Sequence, residues 1–153
     1  MIVGIVGSRT VGECSCAGKG FDYMRSKEGL EHRKECAGLK AVNRMRSIVG
    51  QLAAKYEGDL LVISGGAVGA DKLAEDACDL LKVKFKEVEI KPGREPFAER
   101  AKARNTRLVE KADMLVAVFA PGPRSPGTSD TLRKAIAKPI PVHVYHEGRW
   151  GTE

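Results

Sequence analysis

The sequence predicts an α/β fold: a Rossmann-like, doubly wound parallel sheet of about five strands, in a single domain over residues 1–153. Three observations predict it. Five short apolar runs alternate with stretches whose apolar residues recur at helical spacing. Most of those runs are uninterrupted by polar residues, as expected of strands in a parallel sheet covered on both faces. Several runs end in glycine-rich or proline-rich turns, and right-handed crossovers between parallel strands then restrict the layout to a doubly wound one.

The elements follow in order. Residues 2–6 are apolar and run into Gly7-Ser8-Arg9, a buried strand and its turn. Residues 11–37 are polar, contain glycine and lack clean periodicity, so they read as an irregular insertion. Leu39, Val42, Met45, Ile48, Val49, Leu52 and Tyr56 then mark a helix. A second strand at 60–64 leads into Gly65-Gly66-Ala67-Val68-Gly69, and Ala70, Leu73, Ala74, Ala77, Leu80 and Leu81 mark a second helix. Residues 85–90 alternate in polarity, as a half-exposed edge strand does. After the breaks at Pro92-Gly93 and Pro96, residues 97–111 read as a third helix and 114–120 as a fourth buried strand. A loop at 121–126, a short helix around Leu132, Ala135 and Ile136, a fifth strand at 140–145 and a tail from His146 complete the chain.

Composition excludes several classes. With 42% hydrophobic and 30% charged residues, the chain is neither a disordered tail nor a low-complexity fibre. Its longest uncharged apolar run, 114–120, is far too short to span a bilayer, so no membrane association is expected. The first residues lack a basic flank and a cleavage site, and a cytoplasmic location is expected. Lys plus Arg outnumber Asp plus Glu by 26 to 20, an excess that suits an anionic partner as well as a well-solvated surface. Four Cys without an export signal point to thiols or metal ligands over a disulfide framework. The only side-chain amides are Asn43, Gln51 and Asn105, a scarcity that fits a thermophile.

In an open parallel sheet, ligands sit beyond the carboxyl ends of the strands, where the strand order switches. The loops after strands one, two and four share a phosphate-friendly composition: Gly7-Ser8-Arg9, then Ser64 to Asp71 through Gly65, Gly66 and Gly69, then Ser125-Pro126-Gly127-Thr128-Ser129-Asp130. Glycine lets backbone approach an anion, and the helices that begin there offer N–H groups and a positive dipole end. Ser64, Thr128 and Ser129 add hydroxyls and Arg9 adds a fixed charge. Such turns also occur in α/β proteins for purely structural reasons, but three fall at the expected ligand edge. A P-loop is excluded because Ala70-Asp71 stands where Lys-Ser would be needed, and no GxGxxG follows the first strand. In the third helix, Arg104 and Asn105 occupy an otherwise apolar stripe with Phe97, Ala101 and Leu108. A buried Arg requires an anionic partner and a buried Asn requires hydrogen-bond partners, unless the pair reaches solvent at the stripe's edge.

Together, GSRT, SGGAVGAD, ARN, the AD before the fourth strand and SPGTSD after it resemble the SLOG superfamily. That superfamily joins the SMF/DprA DNA-processing proteins to the LOG nucleoside-monophosphate phosphoribohydrolases, and the motifs look most like its small stand-alone YspA/YpsA-like branch. The resemblance covers the chain outside 11–37. It implies a Rossmann-like domain for a nucleotide, a nucleotide-derived ligand or nucleic acid, and members that often self-associate. Matched position by position, Gly7, Ser8, Arg9, Gly65, Gly66, Gly69, Asp71, Arg104, Asn105, Gly127 and Thr128 line the implied site. LOG hydrolases resemble one another in a PGGxGTxxE motif whose Glu assists base release. Thr131 stands in its place here, and Asp130 is one residue off, about 100° around a helix.

The expected function is therefore binding of a nucleotide or nucleotide-derived phosphate ligand at the carboxyl edge of the sheet. The alternatives are a LOG-like phosphoribohydrolase, with Asp71 or Asp130 as candidate catalytic carboxyls, and DprA-like single-strand nucleic-acid binding. The segment 82–107 carries nine basic and four acidic residues, but with 5% aromatics the chain is poor in stacking platforms. No cofactor is expected to be required. Within the insertion, Cys14, Cys16, His32 and Cys36 form a zinc alternative of acceptable ligand types, although C-x-C is tight for it and incidental thiols are the plainer reading.

Overall fold

A computed structural model describes residues 1–11, 37–120 and 126–146. The zinc alternative at Cys14, Cys16, His32 and Cys36 lies outside them. The elements are β1 (Ile2–Gly7), α1 (Ala37–Lys55), β2 (Leu61–Ser64), α2 (Ala70–Leu81), β3 (Lys84–Glu87), α3 (Phe97–Lys111), β4 (Met114–Phe119), α4 (Pro126–Ala137) and β5 (Val142–His146). The five strands form one sheet in the order β3-β2-β1-β4-β5, and every neighbouring pair is parallel. This is the expected Rossmann-like α/β architecture.

Two clusters of buried side chains sandwich the sheet. On one face Val3, Val62 and Val116 meet α1 through Met45 and Val49 and α2 through Leu73 and Ala77. On the other, Val6, Leu115 and Ala117 meet α3 through Leu108 and Val109 and α4 through Leu132 and Ala135. Pleating sends alternate residues of a strand to opposite faces, so both faces of β1 and β4 are apolar because both are covered. Gly4 allows the second layer to close: a Cβ there would lie 2.9 Å from a Leu108 methyl.

Several boundaries differ from expectation. β3 ends at Glu87 rather than at residue 90. Its partner β2 ends at Ser64, whose carbonyl accepts one further bond from Val88 at 2.8 Å before the chain turns away at Gly65. β3 is an edge strand, as its alternation implied. α4 starts at Pro126 and runs for 12 residues, longer than the short helix expected. Proline suits the first helical position, where its missing N–H costs nothing. Leu80, Leu81 and Ile136, assigned to inward stripes from spacing, are exposed. His146 closes β5, stacked on Phe119 with ring centroids 5.6 Å apart. Cys78 is fully buried as a free thiol, and burial pushes it up to about 12, which keeps it inert.

Candidate functional site

From β1 the chain crosses to β2 on one side of the sheet, and from β4 it crosses to β5 on the other. The order therefore switches between β1 and β4, and a cleft of about 470 Å³ opens at their carboxyl ends. Val6, Gly7 and Arg9 of β1 and its loop, Gly65, Ala67 and Asp71 after β2, and one side of α3 line it. Pro126, Gly127, Thr128, Asp130 and Thr131 at the start of α4 complete it.

The loop after β1 is locked. The Ser8 N–H donates to the Val118 carbonyl at 3.0 Å, its carbonyl accepts from Ala70 at 3.2 Å, and its hydroxyl accepts from the Ala120 N–H at 3.1 Å. Gly69, at φ 88°, passes so close that a Cβ would strike the Ser8 and Arg9 carbonyls. Gly66, at φ 77°, packs against the Glu87 carboxyl. Ser64 is fully buried and donates to the Ile5 carbonyl at 2.7 Å. Ser8, Ser64, Gly66, Gly69 and Ser129 thus lie outside the lining of the cleft, and all but Ser129 have evident structural uses. Gly7, Arg9, Gly65, Asp71, Arg104, Asn105, Gly127 and Thr128 are brought together in it, with Asp130.

The two polar residues on the α3 stripe explain how α3 is held. Arg104 donates from Nη1 to the Gly65 carbonyl at 2.6 Å and from Nε to Asn105 Oδ1 at 3.1 Å. Asn105 Nδ2 donates to the Gly127 carbonyl at 3.4 Å and to Asp130 Oδ2 at 3.3 Å. One amide therefore ties α3 to α4, and one guanidinium ties α3 to the loop after β2. Burial works against the charge of Arg104; Asp71 and Glu87 support it, while Arg107 and Arg9 oppose it. Two arginines, Arg9 and Arg104, thus line one cleft. Thr128 Oγ1 donates to the Gly7 carbonyl at 3.2 Å, fixing the start of α4 over the end of β1. The first-turn N–H groups of α4 have no acceptor within the helix itself. A Cβ at Gly127 would meet no atom of the described residues within 4 Å, so among them the space above it is open.

The two candidate carboxyls differ in state. Burial acts to raise Asp130, but hydrogen bonds from Lys134 and Asn105 and the charges of Lys134 and Arg133 outweigh it and hold the group below the usual carboxylate range. Its ion pairs are at 2.7 Å to Lys134 and 2.6 Å to Arg133. Such a carboxylate carries no proton to give at neutral pH. Asp71 is 7% exposed, and burial raises it from 3.8 to about 6, against the Ala67 N–H, the Ser64 hydroxyl, the Arg104 charge and the Gly65 N–H. The Ser64 proton is directed to the Ile5 carbonyl, so its hydroxyl does little to stabilise the Asp71 charge. Asp71 Oδ2 accepts from the Ala67 N–H at 3.2 Å, and Oδ1, closed to solvent, has no hydrogen-bond partner among the described residues.

Sequence reasoning missed Phe97 and Lys102 as lining residues. Spacing assigned Phe97 to the core, yet it is 58% exposed at the rim, with Arg100 5.7 Å from its ring centre. A large apolar residue in the first turn of a helix that follows a proline-rich loop was the available signal. Among the described residues, no group of three or more His, Cys, Asp or Glu could hold a metal, and no helix is long and apolar enough to cross a membrane.

No protein-family model matches the chain, and no curated protein matches it. Among solved structures it is similar to DNA processing protein A (DprA) from Streptococcus pneumoniae, at 17% identity and a TM-score of 0.48. The match covers 94% of this chain and 58% of that one, so the chain spans little more than half the length of that protein. The functional reading rests on the cleft's own residues.

Proposed function

We propose that the chain binds a nucleotide or nucleotide-derived phosphate ligand in the cleft at the carboxyl edge of the sheet, as its SLOG-like motifs imply. One observation carries the reading: the start of α4, Arg9 and Arg104 converge on a single cleft, with open space above Gly127 among the described residues. Helix N-termini and guanidinium groups are the usual protein partners of phosphate. A volume of about 470 Å³ falls in the range of small-ligand sites. The test is calorimetric titration of nucleoside monophosphates into the wild-type chain and into Gly127→Leu. Binding that disappears in a Gly127→Leu protein of undiminished melting temperature supports the reading. Undiminished nucleotide affinity in that variant refutes it. Mass spectrometry of small molecules released from the purified protein identifies the base.

A second reading has its own observation. Lys82, Lys84 and Lys86 are exposed along the edge formed by β3, on the flank that leads to α3. This basic surface suits a single-stranded nucleic-acid backbone. Oligonucleotide binding that falls steeply with salt and is lost when these lysines are neutralised would favour it. The hydrolase alternative rests on Asp71 alone, given the ion pairs of Asp130, and release of free base from a nucleoside monophosphate is its test.

A further inference from the structure

We infer that Phe97 is the platform on which the base of the bound nucleotide stacks, so that the cleft prefers purine to pyrimidine nucleotides. The inference rests on the nucleotide reading above and deepens it. The side of α3 that borders the cleft is divided in two along its length. The first turns bring Phe97, Ala98 and Ala101 to the cleft, and Arg104 and Asn105 follow one turn later. Asn105 bonds the Gly127 carbonyl at the start of α4, so the polar half lies at the proposed phosphate end. The apolar half is left for the rest of the ligand. Phe97 stands there 58% exposed, more than its backbone atoms can supply, so its ring meets solvent. Among the described residues it is the one exposed aromatic residue and the one aromatic that lines the cleft.

A single exposed apolar side chain is ordinary; this one is also held in place. Arg100 sets its guanidinium over the Phe97 ring, 5.7 Å from the ring centre, where a cation is attracted to the aromatic face. That guanidinium is itself anchored, from Nε to the Glu95 carbonyl at 3.1 Å and from Nη1 to the Lys91 carbonyl at 3.4 Å. Arg100 is not among the residues lining the cleft, so the part of the ring that borders the cleft is not the part it covers. Ala98 and Ala101 beside the ring are small and leave room for a flat ligand. From Phe97 to Arg104 is seven residues, about 10 Å of helix, comparable to the reach of an extended nucleotide from phosphate to base. Phe97, Ala98 and Ala101 offer a base no side-chain hydrogen bonds, and Lys102 beside them is a donor that any base can meet with an acceptor. The base is therefore recognised by its area and not by its edge groups, which favours the larger purines and treats adenine and guanine alike. One ring serves one base, whereas a strand needs successive platforms for successive bases.

The experiment titrates AMP, GMP, CMP, UMP and ribose 5-phosphate into the wild-type chain by calorimetry. The same ligands are then titrated into Phe97→Ala, Phe97→Leu and Phe97→Trp, whose folding is checked by melting. The expected wild-type order is AMP and GMP alike, then CMP and UMP, then ribose 5-phosphate. Phe97→Ala lowers purine-nucleotide affinity by about tenfold, the worth of one stacked base, and leaves ribose 5-phosphate within about twofold of wild type. Phe97→Leu shows most of that loss, because it keeps apolar area without a flat face. Phe97→Trp keeps the affinity, and AMP quenches its added fluorescence while ribose 5-phosphate does not. Equal wild-type affinity for all these ligands overturns the inference and leaves the phosphate site standing. A purine preference that persists in Phe97→Ala also overturns it, by placing the base elsewhere. A loss in Phe97→Ala that ribose 5-phosphate shares overturns it too, since the ring then supports the start of α3 and not a base. Full affinity in Phe97→Leu overturns the stacking and leaves a plain apolar contact. Absence of binding by any of these ligands sinks both this inference and the reading beneath it.

Discussion

Arg104 and Asn105 were legible in the sequence as polar residues on an apolar stripe, and the structure shows why they stand there. Each bridges α3 to a loop or helix that borders the cleft. Lys102, two residues away, is exposed and pairs with Glu99 at 3.9 Å. Under the proposed function, Arg104→Ala weakens nucleotide binding by about tenfold or more, because it removes a cleft charge together with the tie between α3 and the loop after β2, whereas Lys102→Ala changes it by about twofold. Equal losses in calorimetry would leave only general electrostatics. The state of Asp71 was not legible, because it depends on burial beneath Gly65 and Arg104 that no local pattern encodes. Its folded value of about 6 lies above the reference 3.8, so the native state binds more protons than the unfolded chain between those values. Stability from this group is fully present below pH 3.8 and is lost as pH rises through 6, by about 3 kcal/mol in all. In urea titrations, Asp71→Asn therefore gains on wild type as pH goes from 4 to 8. A difference that stays flat over that range would mean that Asp71 ionises normally.

At the scale of elements, the two glycines most alike in sequence context have opposite uses. Gly69 precedes α2 and Gly127 sits in the first turn of α4. Gly69 has φ 88° and lies against the backbone carbonyls of Ser8 and Arg9, so Gly69→Ala combines backbone strain with collision and costs about 3 kcal/mol or more. Gly127 has open space around its Cβ position among the described residues, so Gly127→Ala gains about 0.5–1 kcal/mol of stability from helix propensity while crowding the ligand. Denaturation curves of the two variants should move in opposite directions, and a common direction would contradict this assignment. The sequence reading grouped both as phosphate glycines because composition does not report φ. Boundaries were hidden for a similar reason: β3 stops where β2 stops, a fact about its neighbour. The end of α3 is likewise closed from a distance. Lys138 donates to the carbonyls of Val109, Glu110 and Ala112 at 2.9, 2.7 and 3.1 Å, and Lys138→Met should lower stability by about 0.5–1 kcal/mol in the same assay.

Over the whole molecule, the parallel sheet was legible because strands buried on both faces must be apolar throughout, as 114–119 are. The strand order was not, since it is decided by which helix covers which face. Yet a switch somewhere was implied by right-handed crossovers, and that sufficed to single out the loops after β1, β2 and β4. The same geometry separates the two anionic partners the basic chain could serve. The cleft opens at the carboxyl edge between β1 and β4, whereas Lys82, Lys84 and Lys86 lie along the outer edge at β3, with β2 between β3 and β1. A mononucleotide in the cleft has no condensed counterion atmosphere to release, so its affinity should fall only weakly with salt. A strand tracking the β3 edge would neutralise several phosphates, each adding about −0.7 to the log–log slope against salt. Replacing Lys82, Lys84 and Lys86 together by Gln tests the separation, because these exposed residues can change without disturbing either core cluster. The triple variant should keep mononucleotide affinity within about twofold, since exposed charges beyond a Debye length of about 8 Å are screened at physiological salt. If the same replacement abolishes mononucleotide binding as well, the ligand sits on the basic edge and the cleft is not the site.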